Sequence, residues 1–401
     1  MKSNSIYLLS SQVANILLSI GTTFIILKEI SVEDFGILSI WLFFQAFYMT
    51  GSNALNPIHL VAINKQEKPP EHQLLLGCFS RATFGFFITS LFLLFHFTNP
   101  NFLIPKGHPY SPQVLPILFL LSFQSLLFSF ERNYLLYLQS KESFRLYSFI
   151  NSCSRLLKLT LLVIFITIDQ LSLFQILLAS LLAQSYVLIP ILLVFSKNFF
   201  NLFKEVQIVL QQLKESIVLW FGELLLLAGN KLNLLWLTAL FGSHSSGIWG
   251  VVDTLMGFLF ILPQVLLIQI SPKIIREESY PKALHNKIIL FFTSLLIIAG
   301  TLVPILFEWF NLDKYLVSGE IFLWTLPGLL FWAYTLSPTV LLHAKGKSKW
   351  ISLLECFQLI ALIVANSFLI EPYGLHGAAI SFCIARFIYW ICFQYLWKRS
   401  S

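Results

Sequence analysis

Charge is scarce in this sequence. Asp, Glu, Lys and Arg make up 11% of its 401 residues, less than half of the roughly 25% that keeps an ordinary soluble domain hydrated. With 57% hydrophobic residues and a mean hydropathy of +0.78, a water-soluble fold is excluded and a polytopic membrane protein is expected. Cysteine is sparse too. Cys78, Cys153, Cys356, Cys383 and Cys392 form no C-x-x-C pair and no repeated spacing, which excludes a disulfide framework and a zinc centre. Each reads as a small, buried apolar residue. Enzymatic signatures are missing. Gly346-Lys347-Ser348 has the ending of a phosphate-binding loop, but Leu341 stands where the first glycine is needed. There is no H-E-x-x-H and no G-x-G-x-x-G, and the histidines lie singly at span ends or in loops. No enzyme activity, cofactor or metal is expected, so any work has to be driven by a gradient or by downhill removal of a product. A net charge of +7 would suggest a nucleic-acid partner in a soluble chain. Here its placement among loops matters instead, and no nucleic acid is expected.

What fills the sequence is apolar segments of crossing length. A helix needs about 20 residues to cross ~30 Å of hydrocarbon. Twelve segments qualify: Ile6–Leu27, Phe35–His59, Leu74–Phe97, Val114–Gln139, Leu146–Ile168, Leu173–Phe195, Ile217–Phe241, Gly247–Ile270, Ile288–Phe307, Ile321–His343, Ile351–Ile370 and Leu375–Trp397. The expected fold class is therefore all-α, with twelve transmembrane helices. The first segment, preceded by Lys2, is too long for a cleaved signal and reads as an uncleaved span. Loops on alternate sides differ in charge. The N-terminus, 60–73, 140–145, 196–216, 271–287, 344–350 and the C-terminus hold seventeen Lys or Arg, while the opposite loops hold only Lys28, Lys106 and Lys314. That bias places both termini in the cytoplasm.

Phe199–Ser216 is different. Phe199, Leu202, Phe203, Val206, Val209, Leu210 and Leu213 recur at helical spacing among Lys204, Glu205, Gln211, Gln212 and Lys214, as in an amphipathic helix at a membrane surface. It divides the chain into an N-lobe of six spans (1–196), a cytoplasmic linker helix (197–216) and a C-lobe of six spans (217–401). The halves echo each other weakly: Gln12 precedes Gly36 by 24 residues, and Glu223 precedes Gly247 by the same 24. An even number of spans per half makes the repeats parallel, related by a pseudo-two-fold axis along the membrane normal. Pro190, Pro263, Pro304, Pro327 and Pro338 lie within spans and read either as hinges or as prolines that a membrane helix tolerates.

Charges inside the spans carry the functional reading. A cation at the bilayer centre costs roughly 2.5–3.5 kcal/mol on insertion scales, so each asks for a reason. The first half has Arg81, Arg132, Arg155 and Lys158 against Glu131 alone; the second has Lys231 and Arg386 against Glu223, Asp253 and Glu355. Arg155 and Lys158, three residues apart in the stretch Phe144–Ile168, share one helix face. Two readings follow. Either these groups are inert ion pairs between helices, with Arg81, Arg132 and Glu355 near enough to an end to snorkel, or the surplus cations line a wet cavity that binds an anion. Arg suits phosphate because its planar fork reaches two oxygens at once. Gln12 and Asn15 in the first span, and Glu223, Asn230 and Lys231 in the seventh, are polar at matching depth, as for helices bordering a cavity. The candidate substrate-binding set is Arg155, Lys158, Arg81, Arg132, Lys231, Arg386, Gln12, Asn15 and Glu223. Asp253 is the candidate coupling carboxylate, or else the partner of Lys231.

Short motifs add a resemblance. Val32-Glu33-Asp34-Phe35-Gly36-Ile37 follows the first span and Ser246-Gly247-Ile248-Trp249 the seventh. Leu262-Pro263 precedes Ser271-Pro272-Lys273, and the last span begins Tyr373-Gly374-Leu375-His376-Gly377-Ala378-Ala379. In these features the chain resembles the polysaccharide flippases (Wzx-type, O-antigen) of the multidrug/oligosaccharidyl-lipid/polysaccharide exporter superfamily. The resemblance implies two six-helix lobes in a V, alternating access, and a polyprenyl-diphosphate-linked oligosaccharide moved from the cytoplasmic to the outer leaflet of a bacterial inner membrane. It also implies contact with membrane lipids, a proton or sodium ion as candidate coupling partner, and a monomer. A drug-cation antiporter would share the fold but calls for acidic spans. A membrane-embedded polymerase or ligase should carry a substantial outer loop, and the longest here, Thr98–Gln113, is short.

Overall fold

Within a hydrocarbon layer every backbone donor and acceptor has to be satisfied inside the chain, which leaves the helix as the solution for long apolar segments. The computed structural model describes residues 2–64, 70–98, 114–141, 143–168, 171–193, 206–277, 282–344 and 348–398, and among these residues there is no strand. The helices are α1 (Lys2–Glu29), α2 (Val32–Asn64), α3 (Pro70–Thr98), α4 (Val114–Ser140), α5 (Phe144–Ile168), α6 (Leu173–Ser185), α7 (Val206–Glu277), α8 (Lys282–Trp309), α9 (Leu316–Ala344) and α10 (Ser348–Lys398). Eight stretches of them are long and apolar enough to cross a membrane. Two of those stretches, in α7 and α10, each contain two spans joined at a turn. With α1 and α6 added, the described helices match the twelve expected spans one for one.

The turns inside α7 and α10 are made by glycine. Gly242 has φ +78° and Gly374 φ +55°, the left-handed region that costs other residues roughly 1–2 kcal/mol. Elsewhere the ends are capped by side chains. Ser31 Oγ accepts from the backbone N–H of Asp34 at 3.0 Å ahead of α2, whose first turn carries Glu33 and Asp34 on the positive end of the helix dipole. Ser172 and Gln175 form a reciprocal capping box on α6. α6 stops early because Pro190 has no N–H to give Tyr186. The chain there tightens through Val187 N to Gln184 O (3.2 Å) and Ile189 N to Tyr186 O (3.2 Å), and helix resumes over 188–193.

The chain clusters into two compact units, Met1–Ile30 with Ile40–Leu227, and Ser31–Ser39 with Ala228–Ser401. The first is built on α3 and α4, where Leu74, Cys78 and Leu127 bury against Val187 and Ile191. The described part of the amphipathic segment belongs to it. From Val206 the chain is helical without interruption into the next span, and Val209 and Leu213 pack on Leu75, Leu76 and Phe79 of α3. Residues 197–205 of the expected linker lie outside the described residues. At the end of α4, Lys141 meets Glu71 at 2.6 Å, and the hydrogen bond to that carboxylate raises the lysine above its ordinary pKa.

In the second unit, Gly36 and Gly247, the two glycines of the sequence echo, face each other. A Cβ on Gly36 would overlap Ser243 O and lie 2.9 Å from Gly247 N, and one on Gly247 would overlap Val32 O. Without a hydrophobic drive between helices in lipid, small residues at a close crossing supply the packing. Ser318 Oγ donates to Ile248 O (3.1 Å) beside this crossing, and α9 and α10 close on Leu342, Leu354, Tyr389 and Phe393.

Candidate functional site: intramembrane cations

The candidate residues divide between the two units. In the first, Arg155 on α5 reaches α1, donating to Asn15 O at 3.3 Å and, over a short contact, to Ser19 Oγ. Its partners are neutral. Lys158, one turn further along the same face, is partly buried and has no hydrogen-bond or ion-pair partner among the described residues. The Asn15 side chain is 2% exposed, and neither its Oδ1 nor its Nδ2 is bonded. Gln12 lies on α1, with its side chain outside the description. Arg132 on α4 sits over the Phe128 ring at 5.2 Å.

Glu131, the single acid in these spans, does not form an ion pair with any of them. It is 3% exposed, and its Oε1 accepts from Ser154 Oγ (2.9 Å) and the Tyr186 hydroxyl (3.0 Å), while Oε2 is buried with no donor among the described residues. Sequence reading singled out neither Ser154 nor Tyr186. Ser154 precedes Arg155, and Tyr186 is placed by the break that Pro190 imposes, so the signal lies in a proline at i+4.

Arg81 requires a correction to the expectation that it can snorkel. It is 1% exposed and fully engaged by neutral groups: Ser52 Oγ (3.1 Å), Gly77 O (3.1 Å), Asn133 Oδ1 (2.9 Å), Asn56 Oδ1 (2.6 Å) and His59 Nδ1 (2.7 Å). The arginine can only donate, so His59 accepts at Nδ1 and carries its proton on Nε2, which gives it to Gln212 Oε1 at 3.1 Å. Ser80 Oγ donates to the same oxygen (2.9 Å). Arg81 is thus the centre of a tie between α2, α3, α4 and the start of α7. His59, read as a residue at a span end, is buried inside it.

In the second unit Lys231 and Asp253 form an ion pair across the Gly242 turn, with side chains 26% and 15% exposed. The structure places the candidate coupling carboxylate in that pair. Arg386, 3% exposed, donates to Gln358 Oε1 (3.2 Å) and Asn230 Oδ1 (2.6 Å). Asn366 Nδ2 donates to Asn233 Oδ1 (2.8 Å), and Asn233 Nδ2 to Ala378 O (2.9 Å), so an amide ladder joins α7 to α10. Glu223, which belongs to the first unit, is partly buried with no bonded partner among the described residues. No group of three or more His, Cys, Asp or Glu suited to a metal occurs among the described residues.

The cations with donors to spare lie in the first unit. Arg155 and Lys158 share a face, form no ion pair with a carboxylate among the described residues and retain unused donors, whereas Arg81, Lys231 and Arg386 are committed to partners within their own units.

No protein-family model matches the chain. A curated relative, a putative O-antigen transporter of Shigella flexneri, is 34% identical over 91 residues, which is 23% of this chain and 22% of that protein; the matched stretch thus spans under a quarter of the relative's length. Among solved structures, the lipid II flippase MurJ in an inward closed conformation aligns with TM-score 0.70 at 14% identity, over 99% of this chain and 88% of its own. An inward-facing multidrug-resistance MATE family transporter of the MOP superfamily aligns with TM-score 0.72 at 12% identity, over 99% and 98%. The MATE multidrug transporter DinF-BH gives 0.66 at 16% identity, over 99% and 94%. At these identities the likeness shows a shared fold: the chain is an all-helical, multi-pass membrane protein with the architecture of these transporters.

Proposed function

We propose that this chain is a membrane transporter that flips a polyprenyl-diphosphate-linked oligosaccharide from the cytoplasmic to the outer leaflet of a bacterial inner membrane. The observation that carries the reading is the pair Arg155 and Lys158, two cations at mid-span on one face of α5 that form no ion pair with a carboxylate among the described residues. A diphosphate would supply the missing counter-charge, and the prenyl tail would stay in lipid while the headgroup sheds water against polar walls. Arg132 adds to the positive field. Arg81 and Arg386 take a structural part, holding helices through neutral acceptors. The fold shared with MurJ and the match to a putative O-antigen transporter support the same substrate class. Residues 1–196 and 217–401 act as the two lobes, with 197–216 between them, and rocking of the lobes exposes the site to each side in turn. The protein works as a monomer with both termini in the cytoplasm.

The fold shared with MATE transporters makes a drug-cation antiporter the second reading. Four basic residues against Glu131 in the first-half spans would repel such a substrate.

The test is flipping of a fluorescent short-chain prenyl diphospho-sugar in proteoliposomes. Removing one partner of a buried charged contact costs about 2–5 kcal/mol, so Arg155→Ala and Lys158→Ala should each slow flipping more than about tenfold while insertion and yield stay normal. Unchanged flipping in both variants overturns the anion site.

A further inference from the structure

Asn15 on α1 carries an amide that no group in the protein satisfies. The residue is 2% exposed, and both Oδ1 and Nδ2 are buried without a hydrogen-bond partner. Buried polar side chains are bonded in the large majority of cases, because leaving one unpaired is costly. At Gln73, Gln184 and Asn366 only one atom of the amide is buried and unpaired; at Asn15 both are.

Its place ties the amide to the proposed anion site. Arg155 on α5 donates to the Asn15 carbonyl oxygen at 3.3 Å and to the hydroxyl of Ser19, one turn further along α1. The guanidinium therefore lies against the residue whose side chain is unpaired. The chemistry of that side chain selects its complement. An amide oxygen accepts, an amide nitrogen donates, and both stand on one planar carbon. The matching ligand group has a donor and an acceptor side by side. Two hydroxyls on adjacent carbons of a sugar ring meet this: one gives its hydrogen to Oδ1, and its neighbour accepts from Nδ2. An ionised phosphate offers acceptors alone and leaves Oδ1 unpaired, and a prenyl chain offers neither.

We infer that Asn15 is a sugar-binding residue that reads a vicinal hydroxyl pair on the sugar joined to the diphosphate. The inference rests on the proposed anion site and adds to it the chemistry of the sugar. Arg155 turns from the Asn15 carbonyl to the incoming phosphate, which opens the amide. The sugar bonded to that phosphate then brings its hydroxyls to Oδ1 and Nδ2. Both atoms, unpaired in the free protein, are satisfied in the complex, so binding gains from a group that folding leaves unused.

The experiment is isothermal titration calorimetry of the purified full chain with two ligands, a short-chain prenyl diphospho-glucose and its 3-deoxy analogue. The two share charge and tail, and the missing hydroxyl belongs to every pair of adjacent free hydroxyls on the ring. The wild type should bind the glucosyl ligand about tenfold more tightly, the effect of one lost hydrogen bond to an enclosed group. Asn15→Leu, apolar and of similar volume, should bring the ratio of the two affinities to within about twofold. Since the amide has no partner to lose, the ligand-free variant should unfold at no lower temperature than the wild type. Equal binding of the two ligands by the wild type overturns the inference and leaves the anion site standing. A preference kept by Asn15→Leu belongs to other residues and overturns the assignment to Asn15. A lower unfolding temperature of the ligand-free variant makes the amide a packing group, which overturns it as well. Failure of the wild type to bind either ligand overturns the anion site and the inference with it.

Discussion

A buried arginine is tolerable when every nitrogen finds an acceptor, and Arg81 achieves this without any acid. The geometry depends on the planar fork, since acceptors from α2, α3 and α4, His59 among them, converge on one guanidinium. A lysine carries one nitrogen and cannot reach Ser52, Asn56, His59 and Asn133 together. Arg81→Lys should therefore destabilise the protein by about 2 kcal/mol or more, because a buried acceptor left unpaired costs about 1–3 kcal/mol. Thermal unfolding in detergent measures this, and the diphosphate affinity of the folded fraction should stay within about threefold of the wild type, a small change beside the loss expected at a contacting cation. Arg155 is the opposite case. Its partners are the Ser19 hydroxyl and the Asn15 carbonyl of α1, neither of which balances charge. One residue type thus serves as a structural tie in α3 and as a candidate binding group in α5, and the difference lies in how many acceptors surround it.

At the scale of elements, breaks matter as much as helices. Gly242 and Gly374 let α7 and α10 each reverse within a single continuous run, so that Lys231 meets Asp253 across the first turn, and Asn366 and Ala378, on either side of the second, both bond Asn233. The Tyr186–Val187 break does comparable work, bringing a tyrosine hydroxyl onto Glu131. A close helix crossing in the second unit uses bare backbone at Gly36 and Gly247. Gly36→Ala would set a methyl into the Ser243 carbonyl, and neither backbone can yield locally. Overpacking of this kind costs typically about 1–3 kcal/mol, so Gly36→Ala should lower thermal stability by that amount, whereas Gly21→Ala, where a Cβ meets nothing within 4 Å, should not. Equal stability of the two variants would remove the crossing from the account.

For the molecule as a whole, the two sets of loops differ in charge. Seventeen basic residues on one set against three on the other predict a fixed orientation, with both termini and the 196–216 segment inside. Cysteine-accessibility labelling in intact cells tests this. A cysteine at Lys106 should react with an impermeant maleimide added outside, and one at Lys349 only after permeabilisation; the reverse pattern would invert the topology. The conversion of loop charge into orientation requires no knowledge of packing, which is why it is readable from sequence.

Span count, helical class and the scarcity of mid-membrane charge follow from composition and period alone. Hydrocarbon admits one backbone solution for an apolar segment of that length, and each charge within it stands out against the background. The kinship of Lys231 and Asp253 was legible as one of two alternatives, and the glycine echo at 36 and 247 marked a true crossing. The sequence did not reveal which cations were already satisfied. Arg81 and Arg155 look equivalent along the chain, because the acceptors that separate them, Asn56 and Asn133 for the first and Ser19 for the second, are neutral residues from distant helices. Glu131 likewise gains its character from Tyr186, 55 positions away. Neutral hydrogen-bond partners carry no periodicity and no charge signal, so only tertiary packing decides which intramembrane cation is left with donors to spare.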